Sequence, residues 1–355
     1  MPPKAGIYDP YLDTLGGGER YTLTVAKCLS KNGYQVDVFW DDVSIKSKIT
    51  ERLGIEIEQI NFIPNIFNKE GKKDKKLLKE YDLIFFLSDG SIPYLTGKKN
   101  LLHFQVPFHN VGGRSLLNRI KLKKIKAVVC NSNFTKKFID KEYGVKSIVL
   151  YPPVNVEAFK STKKENFIIA VGRFTDLLHN KRQEVLVKNF INLINDSKCE
   201  IGNWKLVMVG GDEEGKELVK RLKKMAKGYP IEIVTNPQFN YLKQLYGRAK
   251  IFWTAAGFGF DEEKEPEKVE HFGITTVEAM AAGCVPIVIR RGGQPEIVKD
   301  GVNGLLWEKE EELVEKTLKI ISNQKEWRKL SQAAQKKAND FSEKRFCQEL
   351  MKIIK

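Results

Sequence analysis

Apolar residues fall into short continuous runs separated by segments of helical period, and this alternation is sustained along the chain. Residues 5–8 read as a short strand. A loop ending in Gly16-Gly17-Gly18-Glu19-Arg20 runs into a helix over 21–30, and a strand follows at 34–40. That order makes one β-α-β unit of a doubly wound sheet, with glycines where backbone must approach a ligand closely. Further buried strands are expected at 82–87, 100–104 and 127–131, each bounded by polar residues or turn formers. Tyr151-Pro152-Pro153-Val154 breaks the pattern, and the polar stretch 161–166 reads as a connection between domains. A second series then begins, with strands at 167–171, 205–209, 231–234, 251–254, 285–289 and 305–307 and helices at 183–195, 216–227 and 241–248. The tail from about Glu310 is helical throughout. The pattern predicts an α/β fold of two doubly wound domains, 1–155 and 165–337.

Candidate chemistry concentrates in Val269 to Gly283, VEHFGITTVEAMAAG. Phe272-Gly273-Ile274-Thr275-Thr276 reads as a tight turn feeding a helix over 277–282 that Gly283 stops. Such a turn offers unpaired N–H groups and a positive dipole end to a phosphate, and a flanking carboxylate suits sugar hydroxyls. Phosphate beside sugar points to a nucleotide sugar. Glu278 sits among VEAMAA neighbours that bury, which a solvated role does not explain. Glu270 follows Glu262, Glu263, Glu265 and Glu267 and competes with a reading as one more loop acid; the eight-residue spacing to Glu278 is what lifts it. Breaking an anomeric bond leaves negative charge on a diphosphate, and Arg173 and Lys181, in the loop after the 167–171 strand, can meet it. Each alone is an ordinary surface cation. No DxD sequence occurs, so a metal held in that manner is not expected, and cations with a helix end would replace it. His103 ends an apolar run on the side of the sheet where ligands collect, although a lone histidine is more often structural.

Composition changes this picture in three places. At 355 residues and 42% hydrophobic content, the chain can build two cores without staples. Its five cysteines, Cys28, Cys130, Cys199, Cys284 and Cys347, are scattered, odd in number and free of CxxC spacing, which argues against disulfides or zinc and for a reducing, cytoplasmic setting. Neither a signal pattern nor an apolar run near the roughly 20 residues that cross a bilayer is present, so a soluble or peripheral protein is expected. The net charge of +15 implies attraction to polyanions. Residues 114–126, RSLLNRIKLKKIK, carry six cations and no acid, and offer an anionic membrane surface as a partner. Leu116, Leu117 and Ile120 share one helical face while Leu122 and Ile125 point elsewhere, so an ordinary surface helix is the alternative. The Lys-rich loop 69–79 reads as solvated.

In order and spacing these motifs resemble the retaining GT-B glycosyltransferases of family 4 over nearly the whole chain. Glu270 and Glu278 match the family's E-x7-E motif, Gly172-Arg173-Phe174 with Lys181 its G-R-[LF]...K motif, and Gly16 to Arg20 its glycine loop. Asn131-Ser132-Asn133-Phe134 and the segment 295–301 are similar to further landmarks. The resemblance implies two Rossmann-like domains facing each other across a cleft, with a C-terminal helix, about 338–355, crossing back to the first. It implies donor contacts from Gly17, Gly18, Arg173, Lys181, Phe272, Gly273, Ile274 and Thr275, with Glu278 at the ribose and Glu270 at the sugar. His103, chosen over His109 because it ends the strand before Pro107, would face the reacting centre. The wording is closest to mannosyltransferases that extend lipid-linked oligosaccharides. The expected function is transfer of a hexose, mannose foremost, from a GDP- or UDP-linked donor to a glycan or lipid-linked acceptor without metal or cofactor. A nucleotide-sugar epimerase, a glycan phosphorylase and a basic nucleic-acid-binding protein are the rivals; the last lacks interleaved aromatics and any recognisable motif.

Overall fold

A computed structural model of the chain describes residues 1–67, 77–176, 180–195 and 202–355. Most of the 69–79 loop and residues 177–179 of the segment before Lys181 lie outside these. The chain divides into two compact units, residues 1–153 with 343–355, and residues 154–342.

The first unit runs β1 (Lys4–Tyr8), α1 (Gly17–Lys31), β2 (Gln35–Phe39), α2 (Ile45–Leu53), β3 (Ile60–Ile63), β4 (Leu83–Leu87), β5 (Lys99–Phe104), α3 (Leu116–Leu122), β6 (Ala127–Cys130), α4 (Asn133–Tyr143) and β7 (Ile148–Val149). Among the described residues the strands form one parallel sheet in the order β3-β2-β1-β4-β5-β6-β7. Wholly buried strands such as β4, LIFFL, need no polar alternation because both faces are covered. Strand order reverses between β1 and β4, so the carboxyl ends of those strands border the crevice where such sheets take ligands. Helix α1 starts at Gly17, four residues before the predicted position, because the Glu19 carboxylate accepts the Gly16 N–H at 2.6 Å and closes the first turn.

The second unit runs β8 (Glu165–Val171), α5 (Gln183–Asn195), β9 (Lys205–Gly210), α6 (Lys216–Met225), β10 (Ile231–Thr235), α7 (Phe239–Arg248), β11 (Ala249–Thr254), α8 (Ile274–Ala281), β12 (Val285–Ile289), α9 (Gln294–Ile297), β13 (Leu305–Trp307), α10 (Glu310–Ser322) and α11 (Gln324–Ala338). Its described strands form a parallel sheet ordered β10-β9-β8-β11-β12-β13, which reverses between β8 and β11. The fold is α/β with two doubly wound sheets. Lys164, in the polar stretch before β8, is not a solvated linker residue: its ammonium is largely buried and donates to the carbonyls of Ala249 and Ala282 at 2.8 and 2.6 Å. Burial lowers its pKa, and those carbonyls, one at the end of α8, hold the charge in place.

The last helix, α12 (Glu343–Ile354), belongs to the first unit. Phe346, Leu350 and Ile354 enter the core beside Tyr21, Val25 and Leu29, each worth about 1.5–3 kcal/mol of burial. Lys99 and Lys126 donate to the Ile354 carbonyl. This packing also corrects the cysteine expectation. Cys28 on α1 and Cys347 on α12 form a disulfide with Cα atoms 5.5 Å apart, across 319 residues of sequence. Spacing alone could not reveal a pair that meets only when the final helix docks, and the argument from unpaired thiols to a reducing setting lapses. Cys130 and Cys284 are buried and free.

Among the described residues no helix is long and apolar enough to cross a membrane. Cys347→Ser should lower stability by about 2–4 kcal/mol under non-reducing conditions. Urea unfolding with and without reductant measures this, and equal stability of parent and variant in both would remove the bridge.

Candidate active site

In the second unit the predicted donor residues gather where the sheet order reverses. Beyond β8, Gly172 and Phe174 still donate to Val209 and Gly211, at 2.9 and 2.8 Å, so the loop is held to the end of β9. Phe174 is buried and Arg173 exposed. Gln183, at the start of α5, is buried and donates through its amide to the Arg173 carbonyl. Lys181 lies across Gly172, with its Cγ 2.8 Å from where a Cβ would stand. Its ammonium meets the Glu270 carboxylate at 2.6 Å, both side chains being about four-fifths buried.

Glu270 is fixed by backbone. Gly293 donates to the Glu270 carbonyl at 2.8 Å, and a Cβ on Gly292 or Gly293 would fall 2.1 Å from the Glu270 carbonyl oxygen or 2.4 Å from that of His271. Only glycine admits such contact. The acidic loop before it is anchored at both ends: Glu262 accepts the Gly292 N–H at 2.8 Å, and Arg182 donates to the Phe258 carbonyl and lies over the Phe260 ring. Asp261 and Glu265 pair locally with Lys264 and Lys268.

Helix α8 begins three residues earlier than its predicted start, with Gly273 at φ 113 as the entry residue and Ile274 and Thr275 in the first turn. That backbone region favours glycine. The early start places the N–H groups that lack intrahelical acceptors beside the Lys181–Glu270 pair's own loop. Phe272 is buried against Phe341. Glu278, one turn on, is 8% exposed, and its carboxylate accepts from the Tyr246 hydroxyl at 3.1 Å. Burial and the Glu278 charge drive the Tyr246 pKa well above its ordinary value, so the phenol stays a donor. Gln294 accepts from the Thr276 hydroxyl while its amide nitrogen, fully buried, has no protein partner and sits 2.5 Å from where a Gly273 Cβ would be. An unpaired buried donor at a helix start is a place for an anionic or carbonyl oxygen. Tyr246 and Gln294 were not among the predicted residues, since α7 and the turn after β12 bring them in from a distance.

In the first unit, Gly17 and Gly18 form the first turn of α1, and Gln105 at the end of β5 donates to the Gly18 carbonyl at 3.2 Å. His103, expected to face a reacting centre, lies at the carboxyl end of β5. It is fully buried, stacked at 4.1 Å on Tyr21 of α1, with Nδ1 3.1 Å from the Val129 carbonyl and Nε2 without a protein partner. Burial lowers its pKa to about 3, so the ring is neutral, carries its proton on Nδ1 towards Val129 and leaves Nε2 as an acceptor. His109 is half-buried, with Asn110 at 3.0 Å from its Nδ1. Asn131 donates to the Gln105 carbonyl and Ser132 caps α4, which fixes the loop ends of β5 and β6. Asp9, straight after β1, is 1% exposed. One carboxylate oxygen accepts the Tyr11 N–H and the other has no partner. Burial, with the Glu19 charge adding, pushes its pKa up to about 7. Its signal in the sequence was an acid closing an apolar strand at the reversal point. Among the described residues no cluster of three His, Cys, Asp or Glu is arranged to hold a metal ion.

Residues 154–337 match the model for glycosyl transferases group 1, and residues 15–158 that for glycosyltransferase family 4. The chain belongs to the glycosyl transferases group 1 family. It is 27% identical over 248 residues to the GDP-Man:Man(3)GlcNAc(2)-PP-Dol alpha-1,2-mannosyltransferase of Dictyostelium discoideum, covering 65% of this chain and 47% of that one. The chain spans about half the length of this relative and of its mouse and human counterparts. Its fold is similar to a glycosyltransferase from Rickettsia africae at TM-score 0.78 and 21% identity, covering 99% of this chain and 98% of that one. Anabaena HepE in complex with UDP and glucose superposes at TM-score 0.72 and 18% identity, covering 98% of both chains. The group 1 family's GT-B fold is therefore shared over nearly the whole chain.

The buried Asp9 gives a pH signature. Below about pH 4 the group is protonated whether folded or unfolded. Between pH 4 and 7 the unfolded chain releases the proton that the folded chain keeps, so this group's contribution to stability falls, and above 7 the loss is constant. Asp9→Asn should therefore gain on the parent between pH 4 and 7 by up to about 1.4 kcal/mol per pH unit. Urea unfolding at pH 4.5, 6.0 and 7.5 reads the difference, and a pH-independent offset would refute the assignment.

Proposed function

We propose that the chain transfers a hexosyl group, mannose foremost, from a nucleotide diphosphate sugar to a glycan or lipid-linked acceptor with retention of anomeric configuration. The observation that carries this is the arrangement at the start of α8. The Lys181–Glu270 pair at 2.6 Å, the helix N-terminus at Gly273 and the buried Glu278 meet at one sheet reversal. Those groups supply a cation and N–H donors for a diphosphate and a carboxylate for ribose hydroxyls. The Dictyostelium relative's GDP-mannose donor and the UDP and glucose bound by HepE support a nucleotide sugar.

In this reading the bond between the anomeric carbon and the diphosphate oxygen breaks, and the acceptor oxygen attacks the same face. The acceptor proton passes to the departing diphosphate. Lys181 and Arg173, with the first N–H groups of α8, stabilise the charge on that diphosphate, so no metal is needed at this position. Glu270 holds Lys181 in place before the donor arrives and orients sugar hydroxyls afterwards. Glu278, its second oxygen shared with Tyr246, binds the ribose. The Gln294 amide serves an oxygen of the donor. Acceptor recognition is assigned to the first unit, where Gly17 and Gly18 open α1. His103, held against Tyr21, offers its unpartnered Nε2 to the reacting centre as an acceptor.

A thermal-shift panel of UDP, GDP, ADP and their sugars, with and without magnesium, tests the reading. One nucleotide should stabilise the protein by about 2.7 kcal/mol at a hundredfold excess over its Kd, irrespective of magnesium. Stabilisation by none of them, or only with magnesium, overturns it. Glu278→Gln should weaken nucleotide binding by about 10- to 100-fold, the cost of a lost charged hydrogen bond. Glu270→Gln should leave affinity within a few fold and lower turnover. Unchanged binding and turnover in both variants would remove these residues from the site.

A further inference from the structure

Helix α3 has two apolar faces, and the structure uses only one. Leu122 and the following Ile125 pack against the core formed by Phe104, Val128, Ile139 and Tyr143. Leu116, Leu117 and Ile120 point the other way, 75%, 61% and 51% exposed, and no residue of α3 is fully buried. What looked in the sequence like an irregular wheel is a packing face plus a separate outward face. Of the eleven large hydrophobics exposed among the described residues, four lie between Val111 and Ile120, so this is a cluster and not scatter.

The surroundings state which partner suits it. From Gly90 to Ile139 the sequence contains ten lysines and arginines and no acid. Six of the cations are tied to the fold: Lys98 pairs with Asp82 and Lys136 with Asp140, Lys99 and Lys126 donate to the Ile354 carbonyl, Arg114 to that of Lys141 and Lys121 to that of Ile92. Arg119, Lys123 and Lys124 are exposed on or beside the helix. The acid that reaches the preceding loop, Glu142, is occupied by the N–H groups of Asn110, Val111 and Gly113. The helix itself is firmly built: Ser115 caps its first turn, and Lys121 ties it to the loop of Ile92.

We propose that this outward face of α3, with Leu116, Leu117 and Ile120 inserted and Arg119, Lys123 and Lys124 at the headgroups, docks the protein on an anionic lipid membrane. Three apolar side chains ringed by cations satisfy the two-signal requirement for stable interfacial binding, apolar insertion plus electrostatic attraction. A protein partner of ordinary polarity would leave the cations without counter-charges, and a second copy of the same face would set cation against cation. The proposal is independent of the donor chemistry, and the following experiment uses no nucleotide sugar, so its failure and that of the transferase reading are separable.

Co-sedimentation with vesicles of phosphatidylcholine alone, and of phosphatidylcholine with phosphatidylglycerol, tests it at low and high salt. The parent should bind only the anionic vesicles and lose most of that binding in high salt. Replacing Arg119, Lys123 and Lys124 with serine should weaken binding by about 100-fold, at about fivefold per cation. Replacing Leu116, Leu117 and Ile120 with serine should weaken it by about tenfold or more at both salt concentrations. All six side chains are largely exposed, so the thermal midpoints should match the parent's and exclude misfolding. Failure of the parent to bind anionic vesicles at low salt, or parent-like binding by either variant, overturns the proposal. So does a sedimentation-velocity dimer that the apolar variant dissolves, which would make a second copy the occupant.

Discussion

The contact on which the second unit's site depends is made without side chains. Backbone carbonyls of Glu270 and His271 rest on Gly292 and Gly293 so closely that a single methyl at either glycine would collide with them. This contact fixes the loop before α8 to the turn after β12 and so sets the direction in which α8 begins. Every donor-side group is referred to that line. Glu270 is aimed at Lys181 from one end, Glu278 is delivered to Tyr246 one turn along the helix, and Gln294 follows immediately from the second glycine. A backbone clamp holds geometry more tightly than a pair of long side chains, whose ion pair costs rotamer freedom to maintain. The other end of α8 is held as well, by the Lys164 ammonium on the Ala282 carbonyl and by Ser331 on that of Gly283.

The first unit solves a similar problem with different means. At and next to its sheet reversal a buried Asp9, the Glu19 carboxylate that closes the α1 start, and a neutral His103 against Tyr21 lie at the carboxyl ends of largely buried strands. The polar groups there are incompletely satisfied, with Asp9 and His103 each carrying a partnerless atom. Buried unsatisfied groups are costly; Asn100 leaves its Oδ1 unpaired at the amino end of β5, but Asp9, Trp40 and His103 all leave theirs at the carboxyl edge, and that weighting marks the edge as shaped for more than stability.

The fold was readable because parallel strands buried on both faces appear as uninterrupted apolar runs, as LIFFL and VPIVI do. Edge elements were not: β3, INFI, is only half-buried, and α2 lies in the charged segment before it, so neither stood out from a loop. The E-x7-E spacing was legible as a motif of the family the chain resembles, with Glu270 before the turn and Glu278 on the helix after it, and the Gly273 turn as chemistry. Tyr246 and Gln294 were not legible as site residues, because 32 and 16 residues separate them from Glu278 and nothing local marks a phenol or an amide as a ligand partner. His103 illustrates the opposite limit. Its place at a strand end was visible, while the direction of its ring, inward under α1, depended on packing that pattern cannot supply. The Cys28–Cys347 pair failed for the same reason on a larger scale.

The docking of α12 has a consequence for the order in which the molecule can be assembled. The first sheet's core includes Phe346, Leu350 and Ile354, whereas the second unit is contiguous from residue 154 to 342. During synthesis the middle of the chain can therefore reach its final packing while the beginning still has an uncovered helix face. Tyr21, Val25 and Leu29 on α1 wait for residues made after the second unit. Chains stalled or truncated before α12 would retain a finished second unit and a first unit with apolar surface open to aggregation and chaperones.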